Sequence, residues 1–198
     1  RTLHPFPPRR SSDLSAVKNL GAQVILVGDT YDEAYEHAIK LSKKQNYAFV
    51  HPYDDPDVIA GQGTIGKEIL DQAGKDLDAV FVPVGGGGLL AGIGAYIKNL
   101  RPDVKIIGVE PEEAAGLYEA IKANRRVTLK QVGLFVDGVA VKQVGKVTFP
   151  IINEWVDEVV TVSVDEICAA IEDIFHETRT ISEPAGALSL AGLKKLTK

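Results

Sequence analysis

Four consecutive glycines, Gly85-Gly86-Gly87-Gly88, are the residues of this chain best suited to chemistry. They follow the apolar run Ala79-Val80-Phe81-Val82-Pro83-Val84, which reads as a strand buried on both faces of a parallel sheet. They precede a helical pattern that starts near Leu89 and carries Leu90, Ile93, Tyr96, Ile97 and Leu100 at helical spacing. A side-chain-free loop that opens into a helix offers unpaired backbone N–H groups and partial positive charge. No Cβ atom keeps an anion away, so the chemistry it suits is phosphate binding.

Three readings of the loop are open from the residues alone. A tight strand-to-helix turn explains one or two glycines, but hardly four. A dinucleotide site is the second, because Gly86, Gly88 and Ala91 satisfy G-x-G-x-x-A and Glu110 ends the next strand where a ribose-binding acid belongs. The third is a phosphate cup for a smaller cofactor such as pyridoxal phosphate, whose own ring does the chemistry.

The elements that must position this loop alternate along the chain. A helix over residues 15–20 leads through Gly21 to a strand over 23–27, and Thr30 with Glu33 forms a capping box for a helix to about Lys44. Residues 47–50 read as a second strand. Asp54-Asp55-Pro56 makes a turn into a helix through Ile59, Ile65, Ile69 and Leu70, with Gly61-Gln62-Gly63 read as its entrance. After the glycine loop come a strand over 105–110, a helix over 114–123 and an irregular stretch over 127–147. A strand over 158–162 meets a second capping box, Ser163 with Glu166, which opens a helix to about Thr178. A last helix follows Glu183-Pro184 and ends near Lys194-Lys195. The alternation predicts an α/β fold, a three-layer sandwich with a mostly parallel sheet, whose ligands bind at the C-terminal ends of the strands.

Composition narrows the function. The 198 residues are 45% hydrophobic and 25% charged, with a net charge of −5 and a mean hydropathy of +0.02, values of an ordinary globular protein. A negative balance argues against a general nucleic-acid surface, which needs basic excess. The uncharged stretch over 79–97 approaches the length of a membrane span, yet Pro83 and four glycines break it in the middle. Neither nucleic acid nor membrane is expected as a partner, and no secretory pattern is apparent, so the expected location is cytoplasmic. Cys168 is the single cysteine, and its apolar helical setting predicts a buried thiol. His37, His51 and His176 have no partners at metal-ligand spacing, and one carboxylate, Asp137, makes a poor cation site, so no metal is expected. Residues 1–14 carry three prolines and no periodicity. They read as a disordered or non-native leader, and Arg9-Arg10-Ser11-Ser12-Asp13-Leu14 resembles one translated frame of a sequencing adapter.

Longer motifs carry a resemblance. Pro83-Val84-Gly85-Gly86-Gly87-Gly88-Leu89 resembles the phosphate loop of fold-type II pyridoxal-phosphate enzymes (tryptophan synthase β-like), and specifically of the threonine dehydratases. So do Asp57-Val58-Ile59-Ala60-Gly61-Gln62-Gly63-Thr64 upstream and Ile181-Ser182-Glu183-Pro184-Ala185-Gly186-Ala187-Leu188 downstream. Val132-Gly133-Leu134-Phe135-Val136-Asp137-Gly138-Val139-Ala140-Val141-Lys142 is similar to the biosynthetic branch of that family, which serves isoleucine synthesis.

The resemblance implies pyridoxal 5′-phosphate as cofactor, with Gly85, Gly86, Gly87, Gly88 and Leu89 around its phosphate. It implies L-threonine as substrate, 2-oxobutanoate and ammonia as products, and a homotetramer. A lyase or racemase of the same fold acting on serine or threonine, and a nicotinamide-dependent oxidoreductase, are the alternatives. The family's cofactor-bearing lysine lies in a Lys-x-Arg-Gly-Ala-type segment, and no lysine here has that context. The chain is therefore expected to be a middle fragment with no catalytic residue of its own. In that reading residues 15–52 belong to a small domain, 53–198 to an incomplete large cofactor-binding domain, and the regulatory domain is absent. Glu183 reads equally as a helix cap or a site residue.

Overall fold

The computed structural model describes residues 11–28 and 31–197. The chain divides into two compact units, Arg1–Phe49 and Val50–Lys198.

The first unit contains helices α1 (Ser11–Asn19) and α2 (Tyr31–Gln45). α1 takes in four residues that composition assigned to the leader. It ends where Gly21, at φ 84°, donates to the Lys18 carbonyl. The capping box expected at Thr30 falls outside the described residues. The two strands expected over 23–27 and 47–50 are irregular chain. A short apolar run becomes a strand only by joining a ladder, and the described sheet is built from other segments. Ile25, Leu26, Tyr47 and Val50 are exposed, whereas Phe49 meets the Tyr35 ring edge-on at 5.5 Å.

The second unit is an α/β sandwich around three parallel strands, β1 (Ala79–Pro83), β2 (Lys105–Pro111) and β3 (Glu158–Val162), in the order β1-β2-β3. Register pairs Val80 with Ile106, and Gly108 with Val159. Alternation sends successive residues to opposite faces. Val82, Val84 and Ile106 join one core with Ile59, Leu90 and Ile97, whereas Ile107, Val109 and Val160 join the other with Ile167 and Leu188. Both faces are buried, which is why the strands read as continuous apolar runs. Pro83, which has no N–H to give, sits on β1 at the border of this sheet.

Helices α3 (Pro56–Ala73) and α4 (Gly88–Leu100) supply the first core. Asp55 caps α3 by accepting from the amides of Asp57 and Val58. Gly61-Gln62-Gly63 therefore lies inside α3 and not at its entrance. Its purpose is close approach: a Cβ on Gly92 of α4 would stand 2.7 Å from the Gly63 nitrogen, and one on Gly63 would stand 3.3 Å from the Gly92 oxygen. Two backbones touch where side chains are missing.

The chain continues through a 3-10 turn (Glu112–Ala114), α5 (Gly116–Lys122), a second 3-10 turn (Asp137–Val139) and α6 (Thr148–Trp155). After β3 come α7 (Val164–Thr178) and α8 (Pro184–Leu196). Both halves of the Ser163–Glu166 capping box are made. On α7, Ile167 and Ala170 face inward, so Cys168, one helical step from Ile167, is exposed and not the buried thiol expected. No helix among the described residues is long and apolar enough to cross a membrane.

Glu110 bears on the dinucleotide reading. It is fully buried, and its two carboxylate oxygens each accept at 2.8 Å from the amides of Leu117 and Tyr118. It caps α5 and holds no ribose. Burial pushes its pKa up to about 8, and the amides of Leu117, Tyr118 and Gly116 only partly offset that.

Two predictions follow from packing and charge. Gly92→Ala should cost about 1–3 kcal/mol in urea unfolding, because the added methyl meets backbone. Gly61→Ala, whose methyl meets open space, should instead stabilise by roughly 0.5–1 kcal/mol through helix propensity. Glu110 should make stability fall as pH rises from 4.5 to about 8, because the native state alone retains its proton there. The slope, at most roughly 1.4 kcal/mol per pH unit, should flatten in Glu110→Gln when unfolding is measured across that range.

Candidate functional site: the glycine loop

Gly85 to Gly88 occupy the C-terminal end of β1 and the first position of α4, the place that parallel-sheet geometry assigns to ligands. Each glycine answers to a close neighbour. A Cβ at Gly85 would stand 3.0 Å from the Val139 Cα, and one at Gly88 would stand 2.9 Å from the Tyr53 oxygen. At Gly86 it would enter the Tyr53 ring. Gly87 has φ 92°, the left-handed backbone that favours glycine, and a methyl there would reach Ile152 and Thr148. Packing thus demands all four, which the turn reading did not explain.

The orientation of one peptide sets the chemistry. The Gly86 carbonyl accepts from the Gly145 amide at 3.0 Å and from the Thr148 hydroxyl at 2.8 Å. With every peptide here trans, the Gly87 N–H points opposite to that carbonyl. Among the described residues no group accepts from the amides of Gly86, Gly87, Gly88, Leu89 or Leu90, and Ala91 begins the helical ladder by donating to Gly87. Gly86, Gly87 and Gly88 are buried. Unpaired amides in a buried, left-handed turn at a helix N-terminus are groups suited to receiving an anion.

The supports of the loop were not foreseen. Thr148, fully buried, is the first residue of α6, a helix missed because Pro150 interrupts the pattern although proline suits a first turn. The N-terminus of α6 has no local side-chain cap. Asp54 caps it from far along the chain, accepting from Lys146 at 2.8 Å, Val147 at 2.7 Å and Thr148 at 3.3 Å. Burial works to raise the Asp54 pKa, but those three amides and nearby His51 prevail and hold it below the usual carboxylate value. His51 is neither core filler nor simple surface. Its Nδ1 accepts from the amides of Tyr53 and Asp54, and its ring meets that of Tyr53 edge-on at 4.7 Å.

The remaining sequence candidates stand apart from these contacts. Glu183 occupies the N-cap position of α8 but makes no capping bond with its side chain. Asp137 opens a 3-10 turn, its carbonyl accepting from Ala140. Among the described residues no group of three potential ligands could hold a metal ion.

The family model described as pyridoxal-phosphate dependent enzyme matches residues 6–198. The chain is 52% identical over 174 residues to "L-threonine dehydratase biosynthetic IlvA" of Burkholderia multivorans, covering 88% of this chain and 34% of that one. It is 55% identical over 183 residues to "Threonine dehydratase biosynthetic, chloroplastic" of Arabidopsis thaliana, covering 92% of this chain and 31% of that one. The chain thus spans about a third of the length of these relatives. Among solved structures, the processed form of threonine deaminase isoform 2 from Solanum lycopersicum superposes with a TM-score of 0.89 at 48% identity, over 93% of this chain and 54% of that one. Serine racemase from Dictyostelium discoideum superposes with a TM-score of 0.83 at 34% identity, over 96% and 60%. With a family match along nearly its whole length, the chain belongs to the pyridoxal-phosphate dependent enzymes.

Proposed function

We propose that Gly85, Gly86, Gly87, Gly88 and Leu89 hold the 5′-phosphate of pyridoxal phosphate. We further propose that the protein to which this chain belongs converts L-threonine to 2-oxobutanoate and ammonia, the first step of isoleucine synthesis. The observation that carries this reading is the set of unpaired glycine amides behind a Gly86 carbonyl that is held the other way. When bound, the cofactor supplies an electron sink for the pair released at the substrate Cα. The chain's own contribution is positional. The loop amides and the α4 N-terminus neutralise phosphate charge, Tyr53 closes the loop from one side, and Thr148 fixes it from another.

The boundary between Phe49 and Val50 supports assigning residues 15–52 to a small domain and 53–198 to the large cofactor domain. A cytoplasmic location, expected from the sequence, and a homotetramer, implied by the family resemblance, complete the reading. A racemase or lyase acting on serine is the second reading, favoured by the superposition on serine racemase. Assaying 2-oxobutanoate from L-threonine beside D-serine from L-serine separates the two. The nicotinamide alternative loses its ribose acid, since Glu110 is buried beneath α5.

Gly86→Asp should abolish retention of pyridoxal phosphate, because it drives a side chain into Tyr53 and a negative charge toward the anion receptor. Cofactor content of the full-length protein to which this chain belongs, measured after desalting, checks this, and unchanged retention refutes the phosphate assignment. Residues 15–198 supplied with pyridoxal phosphate and L-threonine should form no 2-oxobutanoate above a cofactor-only control, because no lysine here has the family's cofactor-bearing context.

A further inference from the structure

We infer that Asp54 is a positioning residue for the anion receptor: its carboxylate, by capping α6, sets the angle of the Gly86–Gly87 peptide and so the affinity for phosphate. The inference rests on the phosphate reading of the loop.

Each link is a contact. Asp54 binds three consecutive amides, Lys146, Val147 and Thr148, with one oxygen on the first and the other shared by the next two. These are the orphan donors that any helix start must satisfy. The α6 sequence supplies no cap of its own. Gly145 immediately precedes them, and a Cβ there would collide with Asp54 and Thr148. The carboxylate therefore fits against a backbone that has been cleared for it. The segment so fixed delivers both donors to the Gly86 carbonyl, the Gly145 amide and the Thr148 hydroxyl. At its other end Asp54 is held in place, since its own amide donates to His51 Nδ1 at 2.9 Å. The adjacent Tyr53 lies against Gly86 and Gly88. One five-residue segment, 51–55, thus touches the receptor by two routes, directly through Tyr53 and through α6 by way of Asp54.

Without the carboxylate, three amides lose their acceptor and the first turn of α6 loosens. Thr148 then no longer holds the Gly86 carbonyl, and the Gly87 amide can rotate away from the anion. Asp54 itself belongs to neither core, but α6 sends Phe149 and Ile152 into the first, so loosening its first turn also lowers stability.

The test uses the full 198-residue chain, inorganic phosphate and 4′-deoxypyridoxine 5′-phosphate, a probe with no aldehyde and hence no need of a lysine. Amide resonances of Gly86, Gly87 and Gly88 are followed by NMR during titration. Asp54→Ala should weaken both probes roughly tenfold, the scale of a lost cap, and should shift the Gly87 amide before any ligand is added. Asp54→Asn, which keeps one acceptor oxygen, should recover part of the affinity and serves alone if the alanine variant does not fold. Asp157→Asn is the control, because Asp157 braces β2 through the Ile106 amide and Lys98, away from the loop. It should lower stability and leave probe affinity unchanged. Equal affinity in wild type and Asp54→Ala, or an equal loss in Asp157→Asn, overturns the positioning role while leaving the phosphate reading intact. Absence of any probe-induced shift in the wild-type glycines overturns the phosphate reading and this inference with it.

Discussion

The Gly86 carbonyl accepts from the Gly145 amide and the Thr148 hydroxyl, and the character of the glycine loop depends on that double acceptance. A hydrogen bond adds only about 1 kcal/mol net, but a buried carbonyl left without a donor costs about 1–3 kcal/mol. The penalty therefore decides the orientation of the peptide more firmly than the gain does. Once the carbonyl is committed, the next N–H must face the other way, and Gly87 can follow because its left-handed backbone carries no side chain. Four glycines then meet two demands at once. They admit Tyr53 and Val139 close to the backbone, and they leave amides unpaired for an anion.

Two carboxylates in this unit do the same structural work under different electrostatics. Asp54 and Glu110 each satisfy backbone amides at a helix start. Asp54 is half-buried, so its three amides and His51 outweigh desolvation and hold it ionised through the neutral range. Glu110 lies wholly within the second unit beneath α5, where desolvation prevails over its amides. The first is a cap that stays ionised to lower pH than an ordinary aspartate does. The second couples the neutral pH range to stability without touching the glycine loop.

How much of this was legible follows from the range of each interaction. The strand read over 79–84, which the structure forms over Ala79–Pro83, together with α4, β2 and the Ser163–Glu166 box, is legible because the signals lie within a few residues: alternation, helical spacing or a local cap. The strands expected over 23–27 and 47–50 were not found, because pairing needs a partner edge that an apolar run cannot announce. Cys168 was placed inward on average apolarity, whereas the single-residue phase of α7 puts it outside. α6 is hidden twice over: Pro150 interrupts its pattern, and its cap, Asp54, lies more than ninety residues away in sequence.

By itself, then, the sequence determined the α/β alternation, the buried parallel strands and the presence of a phosphate-suited glycine loop. All three are written in local composition and periodicity. Tertiary structure alone decided what the acids and the hydroxyl do. Glu110 became a buried cap and not a ribose ligand, Asp54 reached α6, and Thr148 held Gly86. The physical reason is that a side chain's role depends on which unsatisfied backbone groups the folded chain brings within about 3 Å of it. No spacing along the sequence records that distance.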